Sequence, residues 1–120
     1  IDAAIKLVIL ANALLGLECR LKDVEIEGIR QVTPQAIELA EKDGYVIKHL
    51  ASSEDGLEVS PRLVKKTSPF AVGGSLNVVR LKTDLIGDLT LVGKGAGGIE
   101  TASSVLNDIL EIALIRKRKI

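Results

Sequence analysis

The sequence has no tryptophan and no methionine, one cysteine, one histidine, three prolines and only two aromatic residues, Tyr45 and Phe70. Each shortage closes off a class of function. Without aromatic rings there is no platform on which bases stack, which disfavours RNA-binding modules built that way, and the core must be filled by Ile, Val, Leu and Ala. Cys19 by itself forms no internal disulfide, and together with His49 it assembles neither a zinc set nor a redox pair. That points to a reducing, cytoplasmic setting and to no metal. Sixteen Lys and Arg offset sixteen Asp and Glu, so no net field draws nucleic acid or an acidic membrane surface. No apolar run approaches the roughly 18 residues that cross a bilayer, and the apolar start lacks the basic leader and cleavage site of a signal peptide. A chain that opens on Ile1 and contains no Met is expected to be a segment of a longer polypeptide.

What is present is a composition of 47% hydrophobic and 27% charged residues over 120 positions, enough for one cored domain and too little for two domains with separate cores. Residues 2–15 are rich in helix formers, lack Gly and Pro, and run into Gly16, so they read as a helix. It is apolar nearly all round, and both its sides are expected to be covered. Residues 23–29 alternate Val24 and Ile26 against Glu25 and Glu27, a half-buried strand broken near Gly28. Thr33 and Pro34 open a helix over 34–42, with Ile37 and Ala40 on one face and Gly44 at its end. Strands are expected at 45–51 and 57–59 around a polar turn at 52–56, with Pro61 closing the second. A long connection follows over 62–75, then strands at 76–82 and 89–92 and a last helix carrying Ala102, Val105, Leu106, Ile109, Ile112 and Ala113. The basic run 116–119 complements that helix's dipole and frays into solvent. The expected fold class is α+β, a mixed β-sheet with helices packed on one side.

Two constellations can carry chemistry. Gly93-Lys94-Gly95-Ala96-Gly97-Gly98 matches G-x-G-x-x-G after a strand and before a helix. The match is not a complete dinucleotide fold, because that fingerprint opens a βαβ unit and needs an acidic residue about 20 positions later. It reads either as a tight strand-to-helix turn or as bare backbone that lets a polar ligand approach a helix N-terminus. Asp2 and Lys6 stand four apart on the first helix. They form either an ordinary helical ion pair or, on so apolar a helix, a partly desolvated lysine suited to proton transfer and oriented by a carboxylate. His49 reads as a satisfied or exposed strand histidine, Cys19 as packing, and Lys65 with Lys66 as a solvated pair with phosphate binding as the lesser option.

The order of Asp2-Ala-Ala-Ile-Lys6, Glu27-Gly28-Ile29, Ile47-Lys48, Pro69, Asn77, the loop Gly93 to Gly98, Thr101-Ala102 and Asp108 resembles the C-terminal catalytic portion of homoserine dehydrogenase, over nearly the whole chain. The resemblance implies NAD- or NADP-dependent interconversion of L-homoserine and L-aspartate 4-semialdehyde, on the route to threonine, isoleucine and methionine. It implies that Lys6 exchanges a proton with the substrate oxygen and that Asp2 contacts substrate and lysine. Gly97 would touch the cofactor, with Gly95 and Thr101 in the same loop and helix start. Residues 1–96 would be the catalytic and dimerisation domain, and 97–120 the glycine loop and a C-terminal helix that returns to an N-terminal Rossmann-like domain. That domain, which binds most of the cofactor, and a preceding segment that supplies a glutamate for the substrate amino group lie outside this sequence. The chain alone is therefore expected to be inactive, its partners being the substrate, the nucleotide-binding domain and a second copy in a homodimer. The rival reading is a non-enzymatic regulatory amino-acid-binding or dimerisation module, since the middle of the chain begins like a βαββαβ unit.

Overall fold

Helix α1 spans Asp2–Leu15, and Gly16 stops it with a φ of 66°, a left-handed conformation that costs glycine nothing. The N–H groups of Gly16 and Leu17 both return to the Ala11 carbonyl, closing the last turn. Ala4, Leu7 and Ala11 form the buried stripe of this helix. Ala4 and Leu7 pack with Val24 and Val59, and Ala3, Val8 and Leu57 flank the cluster. Only that side is covered. Ile5, Ile9, Leu14 and Leu15 remain exposed, so the expectation of a helix covered on both sides is not met within this chain.

The computed structural model describes residues 1–118. They form two compact units, one of Ile1–Ala71 and a second that begins at Val72. In the first, strands β1 (Glu25–Ile26), β2 (Tyr45–Ser52) and β3 (Glu58–Lys65) make a sheet in the order β1-β3-β2. β1 is parallel to β3 and β2 is antiparallel to it, which is the mixed sheet expected. Helix α2 (Pro34–Lys42) packs against β2, opened by Thr33, whose Oγ1 accepts from the Ala36 N–H at 3.2 Å.

Several expected elements change length, among them the strand expected at 89–92, which extends over Gly87–Lys94. The strand at 23–29 shrinks to two residues between short 3-10 turns at Leu21–Asp23 and Ile29–Gln31, because its alternation is interrupted by turn-forming segments on both sides. β3 does not end before Pro61 but runs through it to Lys65, paired His49 to Pro61 across to β2. The reason lies in the ladder. The Leu57 and Val59 carbonyls accept from the Glu25 and Glu27 N–H groups, so alternate residues of β3 face β1 and Pro61 falls on that edge after β1 has ended. Its missing N–H costs no bond. The long connection consequently shortens to the stretch after Lys65, which includes a 3-10 turn at Pro69–Ala71.

In the second unit, β4 (Leu76–Thr83) and β5 (Gly87–Lys94) form a separate antiparallel hairpin, with Thr83 opposite Gly87. Thr83 Oγ1 donates to the Gly87 carbonyl at 2.7 Å and accepts from the Ile86 N–H, which pins the turn. Helix α3 spans Gly98–Arg118, and none of its side chains is buried. Arg116 to Arg118 form its last turn rather than fraying; position 119 of the expected basic run lies outside the described residues. Among those residues no helix is long and apolar enough to cross a membrane.

Candidate active site

The helical register places Asp2 and Lys6 one turn apart, and they meet: Lys6 Nζ lies 2.9 Å from Asp2 Oδ2. The acidic residue precedes the basic one and sits in the first turn, the favourable order along a helix dipole. Lys6 is 62% exposed and Asp2 83%. This corrects the expectation of a lysine desolvated on a buried helix, because the face of α1 that carries it is the uncovered one. As a structural pair in water it contributes about 0.3–0.5 kcal/mol. An ammonium and a carboxylate held together on an open face are available to a substrate hydroxyl, and such an arrangement can pass and orient a proton.

The glycine run divides differently from its motif. Gly93 and Lys94 are the end of β5, Gly95 to Gly97 form the turn, and Gly98 opens α3. Gly95 donates its N–H to the Ser75 carbonyl at 3.0 Å. A side chain on Gly95 would collide with that of Asn77, and one on Gly97 with the Glu100 carboxylate. Gly97 also has a φ of 136°, which L side chains rarely adopt. Thr101 lies in the first turn of α3, and its N–H donates to the Gly97 carbonyl at 3.0 Å. Glu100 faces Lys94, Oε1 to Nζ 3.9 Å.

Whether this loop suits a nicotinamide nucleotide can be judged from those contacts. Gly98 meets open space, so the backbone at the helix start is accessible. The Glu100 carboxylate beside Gly97, however, places negative charge where a dinucleotide fingerprint holds pyrophosphate. That arrangement does not suit a pyrophosphate at this helix start, in keeping with the incomplete fingerprint. The Lys6 and Asp2 pair belongs to the first unit, and Gly95, Gly97 and Thr101 to the second.

The remaining candidates have structural partners. The Cys19 Sγ–H donates to Asn12 Oδ1 at 2.9 Å, and the same carboxamide brackets the Cys19 backbone, accepting from its N–H and donating to its carbonyl. Asn12 carries no sequence signal for this, because the contact closes a turn that exists only once α1 has stopped. His49 Nε2 donates to the Glu27 carbonyl at 2.8 Å, tying β2 to the segment after β1. A groove of about 480 Å³ lies between α2 and β2, lined by Ile29, Val32, Ile37 and Glu41 among others. Neither Asp2 nor Lys6 lines it. Among the described residues no three His, Cys, Asp or Glu side chains gather as a metal-holding cluster.

Comparison with known proteins places this architecture first among dehydrogenases of solved structure. A homoserine dehydrogenase from Thiobacillus denitrificans superposes with a TM-score of 0.82 at 35% identity, covering 97% of this chain and 28% of that one. The S. aureus homoserine dehydrogenase gives 0.78 at 34% identity, covering 97% and 31%. In sequence, the homoserine dehydrogenase of Methanocaldococcus jannaschii is 48% identical over 113 residues, 93% of this chain and 34% of that protein. The family model described as homoserine dehydrogenase matches residues 1–110, and the chain belongs to that family. It spans about a third of the length of these relatives. The match runs through α1 and most of α3, the two ends that the amino-acid-binding module reading leaves unexplained.

Proposed function

We propose that this chain is the substrate-binding and dimerising portion of a homoserine dehydrogenase that interconverts L-homoserine and L-aspartate 4-semialdehyde in the cytoplasm, on the route to threonine, isoleucine and methionine. The observation that carries the proposal is the Asp2 and Lys6 pair, 2.9 Å apart on the exposed face of α1, within a chain matched by the family over residues 1–110. Lys6 Nζ exchanges the proton of the substrate hydroxyl, and Asp2 orients the ammonium and contacts the substrate. NAD or NADP, when bound, accepts or returns the hydride at the substrate carbon. A relative from Pseudomonas canavaninivorans, 35% identical over 125 residues, is an NAD(+)-dependent homoserine dehydrogenase, which supports a nicotinamide nucleotide here. Gly97 and Gly95, with Thr101 at the helix start, approach the uncharged part of that cofactor.

In this reading residues 1–96 supply the catalytic and dimerising region, and 97–120 return the chain to an N-terminal nucleotide-binding domain that holds most of the cofactor. The test is homoserine-dependent reduction of NAD(P) by this polypeptide alone and mixed with a separately expressed N-terminal domain of the same enzyme. Activity is expected only in the mixture. Silence in the mixture with both pieces folded would overturn the proposal.

A further inference from the structure

Of the two glycines in the loop that have a neighbour at the place of a missing side chain, Gly97 meets Glu100 on its own helix turn, whereas Gly95 meets Asn77, from the other strand of the hairpin. The ladder explains how Asn77 comes to be there. Asn77 is registered opposite Gly93, Ser75 accepts the Gly95 N–H, and the chain leaving β5 therefore runs alongside the start of β4. Gly93 presents no side chain, and a methyl added there would meet open space. The Asn77 carboxamide can therefore lie over the bare α-carbon of Gly95. A loop held only by its own helix cap could pivot on the Gly97 turn; one with a side chain seated on Gly95 has its exit path set from β4 as well.

We propose that Asn77 is a positioning residue for the glycine loop: by occupying the place of a Gly95 side chain it sets the path along which residues 95–97 reach the first turn of α3. This deepens the cofactor reading of Gly95 and Gly97 and rests on it. The constraint involves two residues at once. A methyl at 95 would meet the Asn77 carboxamide, which would have to turn away from the loop, so shortening Asn77 makes room for one.

The experiment uses the full-length enzyme and compares Gly95→Ala, Asn77→Ala and the double variant. Gly73→Ala serves as a control, because a methyl there meets open space without a positive φ. Binding of reduced nicotinamide nucleotide is read by its fluorescence, and exchange of the Gly95 amide hydrogen is read without cofactor. Gly95→Ala is expected to weaken cofactor binding by about ten-fold, within the range by which contacting residues couple. Asn77→Ala is expected to weaken it less and to leave kcat within about two-fold, since a misplaced loop costs binding before chemistry. The double variant should return to the Asn77→Ala level instead of multiplying the two losses. Asn77→Ala should also speed exchange at Gly95 while the β4 to β5 ladder amides stay protected, which separates loop release from unfolding. Wild-type exchange at Gly95 in Asn77→Ala, or multiplicative losses in the double variant, overturns the proposal. An inactive wild-type enzyme would overturn the cofactor reading instead, and the cofactor-free exchange would still decide the clamp.

Discussion

Among the described residues, the first unit has a buried core and the second has none. Every buried apolar side chain among the described residues, from Ala4 to Val64, lies before residue 72, while the hairpin and the 21-residue α3 leave Leu91, Val92, Val105, Leu106, Ile109, Leu110, Ile112, Leu114 and Ile115 exposed. α1 shows the same contrast within one helix, with Ala4, Leu7 and Ala11 covered and Ile5, Ile9 and Leu14 bare. Exposed apolar area on this scale is a mark of surfaces made to be covered. The chain spans about a third of the length of its relatives. The first unit's core is enough to orient the lysine helix, whereas the second unit's elements take their order from hydrogen bonds of the hairpin and helix caps.

The sharpest test of this contrast is Lys6→Ala in the full-length enzyme. Lys6 lies on the uncovered face, so turnover is expected to fall by about 10²–10⁴-fold, the typical worth of a positioned proton-transfer group, while thermal unfolding is nearly unchanged. Near-normal turnover would remove Lys6 from the proposed chemistry. Val59→Ala addresses the opposite side. Val59 is fully buried between α1 and the sheet, and its truncation is expected to cost about 2 kcal/mol in urea unfolding, as other core truncations do. Smaller again is Thr33→Ala, which removes the cap on the Ala36 N–H and should cost about 1 kcal/mol. The smallest effect is expected from Ile109→Glu in this chain alone, because Ile109 is 56% exposed and a surface change away from packing stays within about 0.5 kcal/mol. A loss above 1 kcal/mol there would mean that α3 does bury its apolar face within this chain, and the contrast between the units would break.

Legibility followed the range of the interactions. Gly16, Thr33 and Pro34 act on their own turns, so the ends of α1 and the start of α2 could be read without any partner. β1 could not, because short 3-10 turns on either side cut the alternating stretch to two residues. Pro61 inside β3 could not either: whether a missing N–H matters depends on which edge it faces and on where the neighbouring strand ends. The same division runs through the site. Spacing alone put Asp2 and Lys6 on one face of a helix, but their openness to solvent follows from which stripe of α1 the sheet covers. Asn12 bracketing Cys19 and Asn77 over Gly95 are contacts between segments that carry no shared local pattern.

By itself, then, the sequence determined the α+β class, the helices with their caps, the hairpin turn near Thr83 and Gly87, and the residues of the lysine pair and glycine loop, all through φ preferences, periodicity and spacing that need only a few neighbouring residues. Tertiary structure alone decided the order β1-β3-β2, the passage of β3 through Pro61, the exposure of Lys6 and the seating of Asn77 on Gly95. Those depend on which backbone edges and side-chain faces meet across the fold, and that is settled by packing between segments distant in the chain.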